Sequence, residues 1–196
     1  MVFRTYVEKK PGFDVEAQQL AQELRTILGI GGLTGLRVIN RYDVEGVDEA
    51  LFQHCVPIVF SEPQVDTATA ELPVEGVELD ERGFVASAPA GTAVFAVEYL
   101  PGQFDQRADS ASECVQLVSA GERPGVRSAK VYVLSGELSA ADVDAIKHYV
   151  INPVEAREAT LSTKATLKME VATPADVEVL DAFLELDEAG LAAFIA

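Results

Sequence analysis

Polar and apolar positions alternate over residues 2–8, a period of two rich in β-formers, and this predicts a strand. Pro11-Gly12 turns the chain. From Asp14 the period becomes helical, with Ala17, Leu20, Ala21, Leu24, Ile27 and Leu28 on one stripe. The Asp14 carboxylate is expected to cap this helix by accepting from first-turn N–H groups, and Gly29 to stop it in the left-handed conformation. Residues 35–42 read as the next strand. A short helix follows with Val47, Ala50, Leu51 and Cys55 on one side, and Pro57-Ile58-Val59-Phe60 opens an extended segment that runs to about Asp66.

The same order then recurs about ninety residues on. Val7-Glu8-Lys9-Lys10-Pro11-Gly12-Phe13-Asp14 returns as Val97-Glu98-Tyr99-Leu100-Pro101-Gly102-Gln103-Phe104-Asp105, with one residue inserted. Residues 92–99 alternate as a strand. Ala108, Ala111, Cys114 or Val115, and Val118 mark a helix ended by Gly121, and residues 128–134 form the returning strand. Ser139 caps a further helix with Val143, Ile146 and Val150 inward, which Asn152-Pro153 breaks. One supersecondary unit used twice and packed against itself accounts for such a repeat. The chain thus divides into a first repeat (1–66), a loop or hairpin excursion (67–91), a second repeat (92–158) and a less regular remainder (159–196). In the remainder, Val177, Leu180 and Phe183-Leu184 suggest a short helix, and Asp187 caps another that carries Leu191, Phe194 and Ile195. The apolar ending Ala192-Ala193-Phe194-Ile195-Ala196 points to the front part of a longer protein.

Composition narrows the options. The chain has 196 residues and a net charge of −17, from 32 acidic and 15 basic side chains. That charge argues against nucleic acid and against anionic membrane surfaces. No apolar run approaches the roughly twenty residues of a membrane span, and the N-terminus lacks the layout of a signal peptide. A cytoplasmic location is expected. Two cysteines, Cys55 and Cys114, make no disulfide framework and read as reduced core thiols.

The candidate chemistry is sparse. Gly29-Ile30-Gly31-Gly32-Leu33-Thr34-Gly35 lacks the Gly-Lys-Ser/Thr ending of a phosphate loop and follows a helix instead of preceding one. The carboxylates of Asp43-Val44-Glu45-Gly46-Val47-Asp48-Glu49 lack EF-hand spacing and read as a turn and an acidic first helical turn. His54 and His148 stand apart from any ligand cluster, and no serine lies in a nucleophile elbow. Pro101 to Ser110 is the densest polar stretch, and Arg107 there is suited to gripping a carboxylate or phosphate in a bidentate way.

Three long strings in the first half resemble the start of a large single-chain phosphoribosylformylglycinamidine synthase: Val7 to Ala17, Asn40-Arg41-Tyr42-Asp43-Val44-Glu45-Gly46, and Phe60-Ser61-Glu62-Pro63-Gln64-Val65-Asp66. In the second half, Glu98 to Ser110, Arg127-Ser128-Ala129-Lys130-Val131-Tyr132 and Val150-Ile151-Asn152-Pro153-Val154-Glu155 resemble it too. The likeness is collinear over nearly the whole chain and weakest over 67–91. Enzymes of that family make formylglycinamidine ribonucleotide from formylglycinamide ribonucleotide, ATP and glutamine. Their N-terminal domain is similar to a fused dimer of the small PurS subunit of multi-subunit versions.

The resemblance implies an α+β fold: a duplicated PurS-like unit forming a pseudo-dimer of antiparallel sheets with helices packed on them, followed by a short helical tail that starts a linker domain. It implies a non-catalytic assembly role, bridging the synthetase and glutaminase parts and supporting ammonia transfer. The partners are then the remaining domains of the same enzyme, and the isolated piece is open to self-association. No catalytic, cofactor or metal ligand is carried over to this chain, and ATP and magnesium belong to the parent enzyme. The candidate interface or recognition residues are Arg41, Asp43, Gln64, Asp66, Gln103, Asp105, Arg107 and Asp109. A rival reading is a small-ligand-binding regulatory module, with the polar loops Asp43–Glu49 and Gln103–Asp109 lining a pseudo-twofold interface. A stand-alone enzyme ranks last, for want of convergent acid and base groups.

Overall fold

The structure is a computed structural model that describes residues 1–168 and 183–195. The first repeat supplies β1 (Val2–Lys9), α1 (Val15–Thr26), β2 (Leu33–Glu45), α2 (Glu49–Cys55) and β3 (Asp66–Thr69). A small hairpin follows, β4 (Glu78–Leu79) with β5 (Val85–Ser87). The second repeat supplies β6 (Thr92–Tyr99), α3 (Gln106–Ser119), β7 (Gly125–Gly136), α4 (Ala140–Val150) and β8 (Ala156–Ala159). After a 3₁₀ turn at Phe183–Glu185 comes α5 (Glu188–Ile195), whose first turn is capped by Asp187 accepting from the Gly190 N–H at 2.8 Å. No helix among the described residues is long and apolar enough to cross a membrane.

The fold is α+β. Both repeats join edge to edge in one antiparallel sheet ordered β3-β1-β2-β7-β6-β8. Each repeat keeps the same internal register: Val7 lies opposite Asn40 in the first, and Val97 opposite Lys130 in the second. At the junction of β2 with β7, Asn40 faces Lys130. Those two residues are themselves repeat equivalents, so a pseudo-twofold axis passes through their pair.

The central strands are apolar on both faces, as in Val131-Tyr132-Val133-Leu134, and each face must therefore be covered. One face carries the four repeat helices, and they are traded between copies. α1 of the first copy packs with α4 of the second: Ala17, Leu24 and Ile146 meet over Val38, Phe95, Tyr132 and Leu134. α3 of the second copy packs with α2 of the first, where Phe52, Cys55, Ala111 and Val115 meet over Tyr42 and Val44. The other face buries Tyr6, Ile39, Val94, Ala96, Val131 and Val133 under Leu72, Val74, Val77 and Val85 of the connecting segment, with Leu161 beyond β8. Thr67–Thr69, expected in the connecting excursion, belong to β3, and the rest of that segment, with its small hairpin, serves as the sheet's second cover.

Several local expectations are corrected. Pro57–Phe60 is helical, because α2 runs on through a wider turn over Val56–Phe60 that closes with the Ser61 N–H donating to the Val56 carbonyl at 3.0 Å. The wider turn accommodates Pro57, which has no N–H to donate, and drives Phe60 into the core against Tyr42. The left-handed stop of α3 falls on Ala120 (φ 51°) and not on Gly121. Asp14 occupies the N-cap position, but its carboxylate accepts from Gly12 N–H and Gln18 Nε2 instead of from the helix N–H groups. Cys55 is buried as expected, whereas Cys114 is exposed on α3. The expectation over Val177 and Leu180 lies outside the described residues.

Candidate functional site

The pseudo-twofold axis emerges on the helical face between the two helix pairs, and a groove lies on either side of it. One groove, of 670 Å³, is lined by Val97, Tyr99, Lys130, Tyr132 and Val150. The other, of 600 Å³, is lined by the repeat equivalents Val7, Lys9, Asn40, Tyr42 and Phe60. Tyr42 and Arg107 border both. The duplication therefore builds one pocket twice, because each repeat places the same strand positions beside the first turn of its first helix.

The two grooves differ in charge where the copies have diverged. Glu16 and Arg107 hold equivalent places in the first turns of α1 and α3, and Asn40 and Lys130 equivalent places on the axis. Lys130 forms an ion pair with Glu16. Arg107 donates from Nη1 to the Tyr42 hydroxyl at 3.1 Å and makes no ion pair with a described residue. Partial burial works against the Arg107 charge, but the bond to Tyr42 and the negative potential of Glu16 and Asp105 outweigh it, so its pKa lies above the ordinary value. The Tyr132 phenol is pushed up to about 12 by burial, with Glu16 and Tyr99 adding to the effect, and it remains a neutral donor. The Asn40 Oδ1 atom is buried at the axis with no hydrogen-bond partner among the described residues. The arrangement offers a guanidinium, phenol hydroxyls and an amide over apolar walls, groups suited to holding a polar ligand. Among the described residues no three His, Cys, Asp or Glu side chains gather as a metal site.

Of the eight candidates read from the sequence, only Arg107 reaches these grooves from a helix, with Asp66 at the margin of the second. Asp66 is buried and structural: it accepts from the Glu62 N–H at 2.9 Å and pairs with Lys9 at 2.9 Å. Asp105 is also buried. It caps α3 through the Ala108 N–H and takes the Ser128 N–H and hydroxyl, tying the helix start to β7. Asp109 pairs with Arg123 at 2.6 Å, Gln103 donates to the Val154 carbonyl at 3.3 Å, and Gln64 is exposed on the turn after Pro63.

Arg41 and Asp43 lie on the opposite face of the sheet, each only 1% exposed. Asp43 accepts from Arg4 Nε at 2.5 Å and pairs with Arg41 Nε at 3.1 Å. Arg41 lies 3.7 Å from Glu98, which also binds Arg157 at 2.8 Å and Lys164 at 2.6 Å. The segment after β8 closes over this network, as the carbonyls of Thr160, Leu161 and Ser162 accept from Arg41 and Arg4. Burial alone would raise the Glu98 pKa, but its bonds to Lys164 and Arg157 prevail and hold it below the usual carboxylate range. Arg4, Glu98, Arg157 and Lys164 escaped the sequence reading. The available signal was charge at same-face positions of otherwise apolar strands, as in Arg41 and Asp43 two apart on β2.

No family model matches the chain, and no curated protein or solved structure matches it.

Proposed function

We propose that this chain is an assembly domain of a multi-part synthetase. The enzyme we infer is phosphoribosylformylglycinamidine synthase, with the chain at its N-terminal end. In this reading it bridges the ATP-using and glutaminase parts and supports transfer of ammonia between them. ATP, magnesium and the glutaminase nucleophile belong to the other domains. The reading is supported by the way the copies are joined. They share one sheet across β2 and β7 and trade helices across the axis, as a fused pair of PurS-like units would. The repeat strings quoted above are its second support.

The test is complementation. An enzyme preparation lacking residues 1–196 is assayed for glutamine-dependent amidine formation with and without this chain added in trans, and with ammonium as nitrogen source in parallel. Restored glutamine-dependent turnover, with ammonium-dependent turnover less affected, supports the role. A folded truncated enzyme fully active on glutamine refutes it.

A regulatory module is the second reading, and the twin grooves at the axis favour it. Saturable binding of a nucleotide to the chain, lost in Arg107→Met, supports that alternative.

A further inference from the structure

A separate pocket lies on the sheet's other face, beneath the strap formed by residues 160–168. Its volume is 240 Å³, and Arg127, Arg157, Lys164, Lys168, Glu98 and Asp105 line it. Together with Arg4 and Arg41 next to it, this region gathers six of the fifteen basic residues of a chain whose net charge is −17.

The carboxylates at the pocket are already engaged. Glu98 takes Arg157 on one oxygen and Lys164 on the other. Asp105 is occupied by Ala108 N–H and by the Ser128 N–H and hydroxyl. Glu45, beside the strap, accepts from Thr166 and from the Leu167 N–H. Two cations are left without a direct partner, although Lys168 adds to the positive potential that lowers the Glu45 pKa. Arg127 is partly buried and makes no side-chain hydrogen bond or ion pair with a described residue, and neither does the Lys168 ammonium. A partly buried arginine with no partner of its own is available to an anion. Its planar fork matches the edge of a tetrahedral oxyanion, and a nearby ammonium adds a point charge.

We infer that this pocket is a binding site for a phosphate-type oxyanion, gripped by Arg127 and Lys168 with the Glu98 cluster as its wall. The site is independent of the assembly reading. Its volume lies below the roughly 300–1,000 Å³ typical of drug-sized ligands, so it suits inorganic phosphate or the phosphate of a small monoester.

The test is an NMR titration of the ¹⁵N-labelled 196-residue chain with sodium phosphate and, separately, glycerol 3-phosphate. Chloride holds the ionic strength constant, since screening alone shifts exposed charges. Saturable shifts of the Arg127, Ser128 and Thr166 amides are expected. Tighter binding of the monoester identifies an organic phosphate as the ligand, and equal binding the free ion. Arg127→Gln is expected to weaken binding by about tenfold or more, the loss of one charge-assisted bidentate contact. Should that variant fail to fold, Lys168→Gln, altered on the exposed strap, carries the test with a loss of about threefold or more. Non-saturating shifts, shifts reproduced by chloride, or full affinity in a folded Arg127→Gln would overturn the proposal.

Discussion

Asp43→Asn tests whether the buried ion network holds the sheet to its strap. The Asp43 carboxylate lies between two arginines, 2.5 Å from Arg4 Nε and 3.1 Å from Arg41 Nε, and both Asp43 and Arg41 are only 1% exposed. The Arg41 pKa is lowered, chiefly by burial and further by the like charge of Arg4, while Asp43 and then Glu98 work the other way. The amide keeps the shape but removes the charge, leaving two guanidinium groups facing each other away from water. Breaking a buried pair in this way costs about 3–5 kcal/mol, a third or more of the stability of a marginal domain. With a urea m-value of about 2 kcal/mol/M, the unfolding midpoint drops by about 1.5–2.5 M. The assay is urea unfolding followed by far-UV circular dichroism on the wild type, Asp43→Asn, Arg41→Met and the double variant. Arg41→Met alone should cost less, because Asp43 keeps Arg4, and Glu98 keeps Arg157 and Lys164. In the double variant one of the two uncompensated guanidinium groups is gone, so its loss should fall short of the sum of the singles by about 1 kcal/mol or more. A loss below about 1 kcal/mol in Asp43→Asn, or strict additivity, would refute the argument.

Three further outcomes follow from particular positions. The Glu98 pKa is depressed in the folded state, so its contribution is present above the unfolded carboxylate value of about 4.3 and is lost as pH falls through the lower folded value. Acid-induced unfolding should therefore be less steep in Glu98→Gln than in the wild type, and an unchanged profile would count against the network. A Cβ on Gly32 would lie 2.1 Å from the Glu137 carbonyl oxygen, so Gly32→Ala must move backbone at the start of β2. A loss of about 2 kcal/mol or more is expected, and a thermal scan showing no change would mean the crossing yields. Cys114 is exposed while Cys55 is buried with its thiol pKa raised by burial, so a thiol reagent should label one cysteine in the native chain and both only in denaturant.

Much of the fold was legible because it rests on local periodicity. The alternation in β1 and β6, the stripe of α1 and the Ser139 cap of α4, which the structure completes as a capping box with Asp142, are set by neighbours a few residues away. Pro57–Phe60 misled because four apolar residues after a proline look extended by propensity, while the packing of Phe60 among Tyr42 and Phe52 decides for a helical turn. Cys114 misled because the helical stripe is wide enough to admit either Cys114 or Val115, and only contact with α2 selects Val115. Of the candidate residues, Arg107 was legible as a cation on a helix start, suited to gripping an anion. The pairing of Arg41 and Asp43 with Arg4, Glu98 and Lys164 was not, since those partners are separated by up to about 160 positions of chain.

The duplicated unit is written along the chain, because a repeated order of periods and turns prescribes the same local structure wherever it recurs. Only the tertiary structure decided how the two copies meet. That β2 pairs with β7 around Asn40 and Lys130, that each helix pair takes one member from each copy, and that the connecting segment and the strap cover the second face are choices among long-range contacts. These contacts are selected by the need to bury both faces of one sheet and to satisfy its charges. No local pattern encodes that selection, so both the axial grooves and the cationic pocket under the strap exist only once the chain has closed on itself.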